Sequence, residues 1–101
     1  MTPLRTAPTV LIRAARGSDG EALERVAQLD SARVPAGELL VAETDGVIVA
    51  AHAPASGTTI ADPFRPTATV VELLELRAAG IGAEQRRRHA ALRLMPRARA
   101  A

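Results

Sequence analysis

Residues Glu38 to His52 read ELLVAETDGVIVAAH. Two apolar runs, Leu39 to Ala42 and Val47 to Ala51, flank Glu43, Thr44 and the dipeptide Asp45-Gly46. Asp-Gly between apolar runs is the strongest short-range hairpin signal, because a type I′ turn needs positive φ at both central residues. Gly46 adopts that conformation freely and Asp45 tolerates it.

If Thr44 pairs with Val47 and the ladder continues unbroken, Leu40, Ala42, Val49 and Ala51 share one face of the hairpin. Leu39, Val41, Ile48 and Ala50 then share the other. Both faces are apolar. A hairpin with one side in water alternates with polar residues, so these strands belong inside a sheet covered on both sides.

Upstream, Met1 to Pro8 carries two prolines and little apolar pattern, and residues 1–9 read as a flexible leader. Val10 to Arg13 is a short β-type run. Ser18 with Glu21 forms a capping-box pair, opening a helix to about Leu29 with Ala22, Leu23, Val26, Ala27 and Leu29 on its apolar face. Asp30 to Gly37 reads as a loop. Downstream, Pro54, Ser56 and Gly57 make a turn into a short strand, Thr58 to Ala61, stopped by Asp62 and Pro63. From Thr67 the period changes to helical, with Val70, Val71, Leu73, Leu74, Ala78 and Ile81 on one broad face and Thr69 with Glu72 as a cap. Gly80 and Gly82 should weaken or end this helix. A second, basic helix would follow over EQRRRHAALRLM, before Pro96 and a disordered tail. The expected organisation is a leader, a half-domain over residues 10–83 and an Arg-rich helix or tail over residues 84–101.

A chain of 101 residues has room for one domain with a modest core. Phe64 is the one aromatic residue, which removes the side chains that stack on bases or line drug-sized pockets. All 13 basic residues are Arg. With abundant Ala and neither Tyr nor Trp, this reflects a compositional bias rather than selection for the guanidinium fork. Through Glu84 seven Arg face eleven acids, a net charge near −4, and after it come six Arg and no acid. The absence of Cys removes disulfides and thiolate metal sites. No run is long enough for a membrane span, and the expectation is a soluble, cytoplasmic protein.

Few residues carry chemistry. Arg77, Gly80 and Gly82 spell RxxGxG, which would let a backbone approach a phosphate before a following helix. The competing reading, which we favour, makes Gly80 the C-terminal cap of the preceding helix. His52, at the end of the second hairpin strand, has no Ser or Cys beside it by sequence spacing and reads as structural or exposed. His89 lies among Arg86, Arg87 and Arg88, in a solvated charged face. Two His and scattered carboxylates give no metal-ligand spacing, so no metal is expected. The Arg-rich end could meet nucleic acid through charge alone, but no stacking residue accompanies it. In Asp62-Pro63-Phe64-Arg65-Pro66, the expected role is to end a strand and launch a helix, with Phe64 packing as an anchor.

Ile12-Arg13-Ala14-Ala15, then Asp19 and an amphipathic helix, then Leu40-Val41-Ala42-Glu43-Thr44-Asp45-Gly46-Val47-Ile48-Val49-Ala50, resembles the first half of a GNAT-superfamily N-acetyltransferase. The resemblance covers about Val10 to Ala61. The run from Leu29-Asp30-Ser31 through Ala61-Asp62-Pro63-Phe64 is also similar to short proteins described as GNAT-like without an established activity. The family implies a fourth strand, then a glycine loop cradling the pyrophosphate of acetyl-CoA, then a helix and further strands that often supply a Tyr as general acid. Either Thr58 to Ala61 is the fourth strand, leading into a segment with no glycine, or Val70 to Leu76 is that strand and Arg77, Gly80 and Gly82 are the loop. This sequence has no Tyr and no counterpart of the later strands, so the resemblance implies that one copy would not hold the complete transfer machinery.

The expected fold is therefore α+β: a short antiparallel sheet built as strand, helix and three-stranded meander, packed by a long C-terminal helix, resembling the N-terminal half of the GNAT fold. The expected function is a non-catalytic binding or regulatory module without a cofactor. A homodimer or a protein partner would cover the open sheet edge. The alternative is an acyl-CoA-dependent N-acetyltransferase assembled as an oligomer, with Arg77, Gly80 and Gly82 binding acetyl-CoA. A second alternative is nucleic-acid binding through the Arg-rich tail.

Overall fold

Asp45 and Gly46 take φ of 50° and 84°, the positive values a type I′ turn requires, and reverse the chain between two buried strands. The structure is a computed structural model describing residues 9–94. Its elements are β1 (Val10–Ala14), a 3-10 turn (Gly17–Asp19), α1 (Gly20–Leu29), β2 (Leu40–Thr44), β3 (Val47–Ala53), β4 (Thr58–Ala61) and α2 (Ala68–Leu94). The strands form one antiparallel sheet in the order β1-β2-β3-β4. The α+β architecture of a four-stranded meander with a long C-terminal helix follows the hydrophobic pattern of the chain.

The two apolar faces of the hairpin are covered from opposite sides. Leu23, Val26 and Ala27 of α1 pack on Leu39, Val41, Ile48 and Ile60. Val70, Leu74 and Ala78 of α2 pack on Leu40, Ala42, Val49 and Ala50. The core is aliphatic and divided by the sheet into two clusters, so each helix depends on the sheet rather than on the other helix.

One detail departs from the unbroken ladder. Thr44 pairs with Val47 and Glu43 with Ile48, but Ala42 pairs with Ala50, leaving Val49 as an extra residue in β3. This β-bulge exchanges the faces of the residues after it: Ala50 joins the α2 side and Ala51 the α1 side, the reverse of the expectation. The Val49 carbonyl accepts the Asp62 N–H at 2.8 Å, so the residue just after β4 helps hold the bulge in place.

The helix caps also differ from the expected residues. Asp19, not Ser18, organises the entry to α1: its Oδ2 accepts the Arg16 N–H at 2.6 Å and its own N–H donates to the Arg16 carbonyl at 3.0 Å. Helix α2 opens at Ala68, and the Val71 N–H donates to the Thr67 carbonyl, so Thr69 lies inside the first turn rather than at the cap. Gly80 and Gly82 do not break α2. Its 27 residues run continuously, about 40 Å at 1.5 Å per residue, so the expected second basic helix is the distal half of the first. Residues 70–76 are helical, which removes the alternative in which they form a fourth strand. Phe64 is 80% exposed and anchors nothing. Thr9, at the end of the expected leader, is held by Asp45 through backbone and side-chain bonds. The rest of the leader and the expected disordered tail after Leu94 lie outside the described residues.

Candidate functional site

The bulge in β3 decides where His52 points. In an unbroken ladder His52 would face α1; with Val49 inserted it faces α2, opposite Leu40 and Thr59. The side chain is buried, and its Nδ1 lies 2.7 Å from Thr59 Oγ1. A threonine hydroxyl both donates and accepts, so this bond holds the ring in either tautomer.

Beside His52 lies an open groove of about 680 Å³ between the ends of β2 and β3 and the middle of α2. Its polar rim is Glu38 from the loop before β2 and Glu75, Gln85 and Arg86 from α2; Ala78 and Ile81 contribute apolar surface. The helical residues recur at three- and four-residue spacing, so they line one stripe of α2. Two carboxylates, a guanidinium, an amide and an imidazole offer both donors and acceptors, and among the described residues no Ser, Thr, Cys or Tyr lines the groove. The arrangement can hold a ligand of mixed polarity. It contains no hydroxyl or thiol nucleophile.

Of Arg77, Gly80 and Gly82, the residues that would bind acetyl-CoA in the alternative reading, Gly82 alone lines this groove. All three lie in the interior of α2, where backbone N–H groups are donated to carbonyls one turn earlier. At about 100° per residue, Arg77 and Gly82 are roughly 140° apart around the helix and Gly80 is about 160° from Gly82 the other way round. The structure therefore does not bring the three to one ligand. Arg86, Arg87 and Arg88 are exposed and successive, fanning across about 200° of helix surface rather than forming one basic face. His89 is exposed among them.

The strongest electrostatic cluster lies on the other side of the sheet. Arg13 NH1 and NH2 donate to Asp19 Oδ2 and Oδ1 at 2.7 and 2.9 Å, and Arg13 Nε donates to Glu43 Oε2 at 3.0 Å. The hydrogen bonds from Arg13 and from the Arg16 N–H hold the Asp19 carboxyl far below the usual carboxylate range, against its desolvation. Asp19 and Glu43 in turn push the Arg13 guanidinium further toward its charged form. Arg13 also donates to the Ala14 carbonyl at 3.1 Å. Four of its five N–H donors are committed to the fold, and the cluster joins β1, β2 and the start of α1.

A second buried carboxylate, Asp62, accepts the Phe64 N–H at 2.9 Å and lies 3.8 and 3.6 Å from the guanidinium groups of Arg25 and Arg65. Arg25 also donates to the Ile48 carbonyl at 2.7 Å. At the β4 edge, the Ala61 N–H donates to Asp30 Oδ2 at 3.1 Å, so a side chain from the loop after α1 occupies part of that edge.

Sequence reasoning missed Glu38, Glu75, Gln85 and Arg86 as the walls around His52. The α2 spacing was visible, but only a helix continuing through Gly80 and Gly82 assembles it. Among the described residues, no group of three His, Cys, Asp or Glu side chains could hold a metal ion, and no helix is long and apolar enough to cross a membrane. No protein-family model, curated protein or solved structure matches this chain.

Proposed function

We propose that the chain is a non-catalytic binding module, built on a GNAT-like half-domain, that holds a polypeptide segment of a partner protein in the groove beside His52. The observation that carries this reading is the groove itself: a rim of opposite charges and one amide around His52, with no hydroxyl or thiol nucleophile among the described residues. Such a rim suits the alternating donors and acceptors of a peptide. Among the residues that carry the GNAT resemblance, Asp19 and Glu43 both accept from Arg13 and support the scaffold.

A second reading is acyl-CoA-dependent transfer by an oligomer. It is favoured by one observation: Gly82 and Arg86 both line the groove, so an anionic group placed there would meet a guanidinium. Calorimetric titration of the full chain with acetyl-CoA separates the two readings. The binding-module reading expects no saturable heat at millimolar ligand from a sample shown to be folded by circular dichroism. Micromolar binding that is lost on Arg86→Glu and Gly82→Trp would replace it with the transferase reading.

A further inference from the structure

On α2, away from its buried face, the residues at 73, 76, 80, 83, 87 and 90 follow the alternating three- and four-residue spacing of a helix-pairing seam: Leu73, Leu76, Gly80, Ala83, Arg87 and Ala90. Leu76 is 69% exposed and Leu73 is 39% exposed, while the side chains that hold α2 to its own sheet, Val70, Leu74 and Ala78, lie on another face. Leu73 also borders an apolar hollow of about 410 Å³ formed with Val10 and Val70. Gly80 sits at the middle of the seam. A glycine inside a helix costs about 1 kcal/mol relative to alanine. Within one copy nothing requires it, because a Cβ there would meet no atom within 4 Å. A glycine at that place permits another helix to approach closely.

Charge identifies the occupant. The proximal half of the helix carries Glu72 and Glu75 against Arg77, and the distal half carries Arg86, Arg87 and Arg88 against Glu84. We propose that α2 pairs antiparallel with α2 of a second copy of this chain, crossing at Gly80 and Ala83. With Gly80 of each copy level with Ala83 of the other, Leu73 meets Ala90 and Leu76 meets Arg87 across the seam. In an antiparallel pair the flanking positions face their own kind. Arg77 then faces Glu84 of the second copy, and the two-fold axis repeats that pair. Arg87 lies within reach of Glu72 of the second copy. A parallel pair would instead set Arg87, at a seam position, beside its own counterpart, like against like. The contact is isologous and closes at two, and it lies on the helix rather than at the sheet edge.

Sedimentation equilibrium on the full chain tests this from 1 to 500 μM. The expected result is a reversible monomer–dimer equilibrium. Arg77→Glu alone and Glu84→Arg alone should each weaken it about tenfold, since each places two like-charge pairs in the dimer. The double swap R77E/E84R should restore it to within about threefold of the unsubstituted chain. Leu76→Asp should abolish the dimer while leaving the circular dichroism spectrum and the urea midpoint of the monomer unchanged, because Leu76 is exposed. A chain that stays monomeric at 500 μM overturns the proposal. So does a dimer indifferent to Leu76→Asp, or one that the double swap fails to rescue.

Discussion

Arg13 and Asp19 meet through two parallel hydrogen bonds, 2.7 and 2.9 Å long, between a guanidinium on β1 and a carboxylate at the entry to α1. The same carboxylate accepts the Arg16 N–H, and the same guanidinium reaches Glu43 on β2. The side chains are 16% and 9% exposed, so water screens the pair little. Removing one partner leaves a desolvated charge. Asp19→Ala and Arg13→Ala should each destabilise the fold by about 2–4 kcal/mol. The double variant should cost less than the sum, which urea unfolding of the four-member cycle measures.

That pair also sets the acid limb of stability. The carboxyl of Asp19 is depressed in the folded chain and ordinary in the unfolded one, so the unfolded state binds the proton first as pH falls. The contribution is fully present above about pH 4, near the unfolded carboxylate value, and declines below it. Urea midpoints between pH 2 and pH 6 should fall toward acid more steeply in the unsubstituted chain than in Asp19→Asn, which has no proton to take up there. Parallel slopes would show that other carboxylates govern the acid limb.

The two exposures on α2 make a stability test of the face assignment. Leu74 is fully buried and Leu76 is 69% exposed, two residues apart. Leu74→Ala should cost about 2–4 kcal/mol through a cavity against the sheet. Leu76→Ala, measured on dilute monomer, should change stability by no more than about 0.5 kcal/mol. Equal effects would mean that α2 is rotated from the arrangement described.

Much of the fold was legible because each element carried a local signal. The Asp45-Gly46 turn, the 58–61 strand and the apolar stripe of α1 follow from chain chemistry at short range. What was not legible depends on contacts between distant residues. The bulge at Val49 is fixed partly by Asp62, and no pattern within β3 announces it. Its consequence reaches the candidate groove, since it turns His52 toward α2. The two helix glycines misled for a different reason. Propensity penalises Gly80 and Gly82, but flanking Leu, Ala, Glu and Arg residues favour a helix, and packing of Val70, Leu74 and Ala78 on the sheet fixes its proximal half. Phe64 misled because an aromatic side chain is ordinarily core, whereas here the turn is held by Asp62 through the Phe64 N–H.

Gly46 and Gly80 should respond to alanine with opposite signs. Gly46 sits at φ 84°, where a Cβ meets the backbone, so Gly46→Ala should destabilise by about 1–2 kcal/mol. Gly80 is helical and a Cβ there meets open space, so Gly80→Ala should stabilise the dilute monomer by about 0.5–1 kcal/mol. Thermal unfolding of the two variants against the unsubstituted chain reads both shifts in one experiment. Destabilisation by Gly80→Ala would place a packing partner against that residue within a single copy. Stabilisation at micromolar concentration would leave the glycine without a packing role in the monomer, as the proposed approach of a second helix at Gly80 expects.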